Sequence, residues 1–333
     1  MFTIPGVIQQ EAILDKEVSF YRSHAYAEST KAVYRCQLHT YLRFCIYFGY
    51  APLPATTVIL CRYATFLARS LKPSSIDCYM NIIRILHKES GLPNPLEDNW
   101  ITQTVIRGIK RRLGSPPLQK LPITPSILLS IHQRLDLSSV YNKAFWAACL
   151  CAFFTFFRKA TLLPKSLGKS GINTGLRRKD IQFTDQGVTI STSHTKTIQY
   201  GQRMLLTPLP IITGSPLCPT TALKELIKCG SSIPEDAPLF SYPSANSDYL
   251  SLSHTSFVHS LKLILTTCGY PASEYSGHSF RRGGASFAFQ CGIPPTVIKM
   301  QGDWRSMAYE RYLYVPLEYK QDLVKVLSLK LKN

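Results

Sequence analysis

The stretch Gly277-His-Ser-Phe-Arg-Arg-Gly-Gly-Ala285 sets His278 and Arg281 three residues apart, so a helix would carry both on one face. Downstream, Gly302-Asp-Trp-Arg-Ser-Met-Ala-Tyr-Glu-Arg-Tyr-Leu-Tyr314 offers Trp304 and, eight residues later, Tyr312. Upstream, Arg158 closes a long apolar segment, and Lys196 stands in a Thr-Lys-Thr turn. Two arginines, a lysine, a histidine, an indole donor and a phenol make a kit for phosphoryl transfer without a metal. Guanidinium forks grip phosphate oxygens bidentately and keep their charge. A phenol attacks phosphorus once a neighbouring base takes its proton. Tyr309, Tyr314 and Tyr319 compete with Tyr312 for that role, Tyr314 most closely. Each residue alone also has a plainer reading: a solvated arginine, a structural histidine, an exposed turn lysine, a packed tyrosine. Their company makes the case. Gly283 and Gly284 inside the helix cost about 1 kcal/mol each relative to Ala. That cost predicts a partner lying close against the backbone, with DNA among the candidates.

The elements that must position these residues belong to a chain of 333 residues, room for two domains, with 45% apolar and 17% charged residues. This is a folding composition. The 38 Lys+Arg against 20 Asp+Glu give a net charge of +18, and both halves are basic: 15 against 8 up to residue 120, and 23 against 12 beyond it. An acidic partner follows, either nucleic acid or an anionic membrane. The longest apolar run, Ala144 to Phe157, has 14 residues, short of the ~20 that a spanning helix needs. The N-terminus lacks the basic and apolar regions of a signal peptide, so the reading is a soluble intracellular protein with no membrane partner. The ten cysteines show no Cys-x-x-Cys and no zinc-finger spacing with His, and most read as small buried hydrophobes. No metal is expected. Walker A and Gly-x-Gly-x-x-Gly are absent, which argues against a nucleotide cofactor.

Helical spacing recurs over residues 29–48, 56–70, 74–89 and 97–112, with a further helix near 10–23. Residues 1–112 therefore read as a helical domain, and 113–122, rich in Gly and Pro, as a linker. Residues 123–333 form the second domain. Its helices are expected at 125–135, 139–157, 219–229, 253–267, 278–290, 295–301, 306–313 and 317–331. Its three short strands, Asp180 to Thr184, Gly187 to Ser193 and Arg203 to Leu206, should form an antiparallel sheet. The fold class is mainly α with one small three-stranded sheet.

On these motifs, with "PLCPTTALKEL" at 216–226 between sheet and His-x-x-Arg, the sequence resembles the tyrosine recombinase (phage integrase-like) family over nearly its whole length. Within that family it looks most like the recombinases of eukaryotic crypton and DIRS-type mobile elements. The resemblance implies a helical core-binding domain that clamps DNA, a catalytic domain, and a covalent 3′-phosphotyrosine intermediate formed without cofactor, metal or ATP. It implies catalytic roles for Arg158, Lys196, His278, Arg281, Trp304 and Tyr312. The basic residues Arg43, Arg84, Lys110, Arg111, Arg112, Arg282 and Arg305 are read as DNA contacts, with a merely solvated surface as the plainer alternative. Duplex DNA is the expected partner, with a homotetramer assembled on it by exchange of the C-terminal helix. The expected functions are DNA integration, recombination and transposition. The expected location is the nucleus in a eukaryote and the cytoplasm or nucleoid otherwise. Two departures from the family stand out: Thr161, where a polar or acidic partner of the first Arg is common, and the missing Gly before Arg158. Thr161 keeps in view the alternative of a recombinase-derived DNA-binding protein without catalysis; a type IB topoisomerase-like enzyme, with related chemistry but little sequence choice, is the other.

Overall fold

The computed structural model describes residues 7–114, 119–165, 175–245, 247–314 and 317–331. The chain divides into two compact units, Met1–Pro117 and Leu118–Asn333.

The first unit is helical: α1 (Val7–His24), α2 (Glu28–Phe48), α3 (Thr57–Ala68), α4 (Pro73–Glu89) and α5 (Trp100–Leu113). Local chemistry sets the ends. Gly49 takes the left-handed conformation (φ 68°) that stops α2, while the Thr56 and Asn99 side chains cap α3 and α5 by accepting N–H bonds from Ile59 and Thr102. Tyr41, Phe44, Leu60, Tyr63, Ile76, Met80 and Ile83 bury the facing stripes of α2, α3 and α4 in one core.

The second unit runs α6 (Pro125–Arg134), α7 (Val140–Thr155), α8 (Lys159–Leu162), β1 (Ile181–Thr184), β2 (Gly187–Thr192), β3 (Leu205–Pro210), α9 (Pro219–Cys229), β4 (Ser241–Ser244), β5 (Ser247–Ser251), α10 (His254–Thr267), α11 (Gly277–Gln290), α12 (Pro295–Gln301) and α13 (Leu317–Lys330). From Ala144 to Phe154, α7 is apolar on every face and forms the axis of the core, as its composition requires. The antiparallel order is β1-β2-β3, with Ile181 opposite Ile190 and Thr192 opposite Leu205. Val188, Ile190 and Thr192 point inward by the strand period of two. Pro208 and Pro210, which cannot donate to a ladder, are tolerated because β3 is an edge.

Several expectations change. The β4–β5 hairpin falls between the helices expected at 219–229 and 253–267, where the sequence reading assigns no element, because its Ser-rich strands lack the β-branched signal of β1 and β2. Residues 307–312 form a 3₁₀ turn rather than an α-helix. Of the linker 113–122, residues 115–118 lie outside the described set. Leu121 and Ile123 already donate backbone bonds to the Glu274 and Ser279 carbonyls, so the end of this stretch is tied to α11 and to the turn before it. The partner of the α11 glycines is protein: a Cβ on Gly283 would strike the Ile123 carbonyl, and one on Gly284 the Phe153 carbonyl. Cys45, Cys149, Cys151 and Cys218 are buried, but Cys36, Cys78 and Cys291 are exposed.

Candidate active site

Thr155 ends α7 by turning its hydroxyl onto the Cys151 carbonyl and accepting the Phe157 N–H (2.7 and 3.1 Å). Phe156 then takes φ 54°, a left-handed conformation that glycine adopts far more readily. The missing Gly therefore costs backbone strain, which the packing of the Phe156 ring against Ala285 and Trp304 opposes. The reversal delivers Arg158, half-buried, as the cap residue of α8. Thr161 is buried and its N–H bonds back to the Arg158 carbonyl at 2.8 Å.

α11 brings the next two groups. Ser276 caps it reciprocally with Ser279 and accepts the His278 N–H at 3.2 Å, which fixes His278 in the first turn. Arg281 follows one turn later and is only 1% exposed. Its Nη1 donates to the Phe156 carbonyl, and its guanidinium lies 3.6 Å from the Trp304 ring centre and 5.1 Å from that of Tyr312. A desolvated cation–π contact of this kind contributes about 2 kcal/mol. Burial, then the charge of Arg158, pull the Arg281 pKa down to about 9, while Tyr312 and Asp303 oppose the shift. The group stays cationic at neutral pH. His278 is exposed overall, yet the atoms packed about its ring, and then the charges of Arg281, Lys159 and Arg158, hold it below the usual imidazole range. Acidification charges it; at neutral pH it is an uncharged acceptor.

Trp304, Tyr309, Phe156, Ala285 and Ile298 form a small apolar cluster that floors the site, with Tyr312 packed against it 5.4 Å from the indole. Three buried donors here have no hydrogen-bond partner among the described residues: Arg281 Nε, Arg281 Nη2 and Trp304 Nε1. The rival tyrosines part company. Tyr309 is buried in the floor, whereas Tyr314 is held to Ser286 through its N–H (2.7 Å) and lies under Arg282, 5.4 Å away. The side chain of Tyr319 lies outside the described residues.

Lys196 is exposed in the β2–β3 connection, at the apex of a turn closed by mutual backbone bonds of Thr195 and Ile198. Ile198 is fully buried and anchors the turn. Asp303 accepts from Thr195 Oγ1 at 2.7 Å, from Thr197 Oγ1 and from the Arg203 guanidinium, and Arg305 donates to the Thr197 carbonyl. Sequence reasoning missed Asp303; the threonines flanking Lys196 were its only trace. Arg281, Trp304 and Tyr312 thus touch directly, Arg158 and His278 sit within electrostatic reach of Arg281, and the Lys196 turn joins through the neighbour of Trp304.

The remaining basic residues divide. Arg43, Arg84, Arg111 and Arg112 are exposed on the first unit; Lys110 is also exposed but pairs with Asp77 at 2.7 Å. Arg282 is half-buried and donates to the Lys120 carbonyl at 2.7 Å, and Arg305 is engaged with Thr197. Both therefore serve internal bonds.

No protein-family model matches the sequence. An "integrase/recombinase xerD homolog" of Selenomonas ruminantium is 25% identical over 283 residues, covering 83% of this chain and 78% of the relative. The Tn1549 transposon integrase, solved with transposon right-end DNA, superposes with TM-score 0.62 at 13% identity, covering 94% of this chain and 98% of that one. A lambda integrase dimer bound to a core site gives TM-score 0.56 at 15% identity, covering 91% and 94%. The fold is that of these integrases, and the sequence is similar to the XerD homologue over most of both chains.

Proposed function

We propose that this chain is a site-specific DNA recombinase that cleaves and rejoins duplex DNA through a 3′-phosphotyrosine. The observation that supports the reading is the set of three buried donors without a hydrogen-bond partner on Arg281 and Trp304, the two side chains packed against the Tyr312 ring. Such donors cost free energy until an acceptor arrives, and a phosphodiester supplies oxygens of the right charge. Arg158 and Arg281 hold the non-bridging oxygens and stabilise the charge that develops at phosphorus. Trp304 donates one further bond. The Tyr312 oxygen attacks, its proton passes to His278, and the bond from phosphorus to the 5′ oxygen breaks. Lys196 hands its proton to that departing oxygen. The phosphotyrosine conserves the bond energy for religation.

In the same reading, the first unit is the DNA-clamping domain. Exposed Arg43, Arg84, Arg111 and Arg112 lie on the backbone, contacts that position the duplex without reading sequence. Lambda integrase has been solved as a tetramer on a Holliday junction. The exposed Leu317, Val324, Val326 and Leu329 of α13 suit docking onto a neighbouring protomer in a like assembly. The motif resemblance favours a crypton- or DIRS-type mobile element acting in a nucleus, with transposition as its outcome. Bands of covalent protein–DNA adduct test the reading. The probe is a nicked suicide duplex built on a sequence that the chain itself selects from a random double-stranded pool. Wild type should yield an adduct and Tyr312→Phe none; an adduct from Tyr312→Phe overturns the assignment. Tight binding by a folded wild type that never yields an adduct would favour a binding protein without catalysis.

A further inference from the structure

We infer that Asp303 is a positioning residue for Lys196: it latches the β2–β3 turn to the loop that carries Trp304. The inference rests on the recombinase reading above and adds a residue to which that reading gives no role. Four observations support it. Asp303 is 7% exposed, so its carboxylate has been taken out of water and must be compensated inside the protein. Among the described residues its side-chain hydrogen bonds come from the β2–β3 connection: the hydroxyls of Thr195 and Thr197, which bracket Lys196, and the guanidinium of Arg203 on the return to β3. Its backbone has φ 52°, the left-handed position that follows the last turn of α12, where the Asp303 and Trp304 N–H groups bond back to the Met300 and Lys299 carbonyls. An acidic side chain there is fixed at its root as well as at its tip. Arg305 closes the latch from the other side of Trp304 by donating to the Thr197 carbonyl.

The chemical consequence concerns the leaving group. Lys196 is exposed and carries a flexible four-carbon stem, so its reach is set by where the turn is held. Proton delivery needs heavy atoms within hydrogen-bond distance. A displacement of about 1 Å costs up to ~10²-fold in rate. Burial raises the Asp303 carboxyl pKa, but the bonds from Thr197, Thr195 and Arg203 outweigh it and keep the group ionised. The latch is therefore set at neutral pH.

The test uses the full chain and two suicide duplexes of the selected sequence that differ in one atom. One has the normal 5′ oxygen at the mapped scissile phosphate; the other has a bridging 5′ sulfur, which leaves as thiolate with no proton handed to it. Asp303→Gly keeps the left-handed backbone and deletes the carboxylate. It should slow cleavage of the oxygen substrate by about 10–100-fold and leave the sulfur substrate within about threefold of wild type. Lys196→Ala should show the same pattern. The double change Thr195→Val, Thr197→Val leaves Asp303 and its Arg203 partner in place but removes the two hydroxyl donors that bracket Lys196, and should reproduce the defect. Equal slowing of Asp303→Gly on both substrates, or no slowing on either, overturns the latch. A wild type that cleaves neither substrate fails the underlying reading, an outcome distinct from the other two.

Discussion

The floor of the site and the turn beside it solve opposite problems. Arg281 is 1% exposed, bonded to the Phe156 carbonyl and stacked on Trp304, so its guanidinium is immobilised before any substrate arrives. Lys196 is exposed, and only its flanking threonines and Ile198 are tied down. Charge that must stabilise a transition state gains from burial and fixed geometry, because the surrounding dipoles need not reorganise. A group that must hand over a proton and later retrieve it needs a mobile tip on a fixed root. The fold supplies the first by packing and the second by hydrogen bonds across the chain.

The sharpest way to break the contrast is Arg281→Ala. It should lower cleavage by at least about 10²–10³-fold, as loss of one preorganised donor does, while a filter-binding assay finds duplex affinity little changed. Lys196→Ala should cost about 10²-fold in cleavage with no change in melting temperature, since its side chain is in water; a fall in melting temperature would erase the distinction between floor and turn. His278 comes next. Its depressed pKa means that the neutral form persists below the ordinary imidazole value of ~6.5. The cleavage rate should hold down to that value and decline only as acid charges the ring, and His278→Gln should flatten that limb while slowing the reaction at neutral pH. A limb lying above ~6.5 would contradict the assignment. The smallest effect belongs to the first unit. Replacing Arg111 and Arg112 with Ala should leave the chemical step alone and reduce the slope of log affinity against log salt by about 1 per residue.

Legibility followed physical reach. His278 and Arg281 were readable because one helix turn joins them, and Trp304 and Tyr312 because one short loop does. α7 announced itself by the unbroken apolar run that starts at Ala144. The latch was not readable: Asp303 meets Thr195 and Thr197 across more than a hundred residues, and an acidic residue before a tryptophan looks like any solvated one. The α11 glycines signalled close approach correctly, but their sequence could not say that Ile123 and Phe153, rather than a ligand, lie there. β4 and β5 escaped because serine carries little strand preference, and a hairpin between longer elements can be held by its pairing alone. Tyr312 and Tyr314 were indistinguishable by spacing; the stacking of one on Arg281 and the other on Arg282 separates them.

The most direct measurement is mass spectrometry of the peptide left attached to a trapped suicide substrate after digestion of protein and DNA. The account predicts a single modified residue, Tyr312, bearing the 3′-phosphate of a nucleotide. A nucleotide on Tyr314, Tyr309 or any other side chain would contradict it.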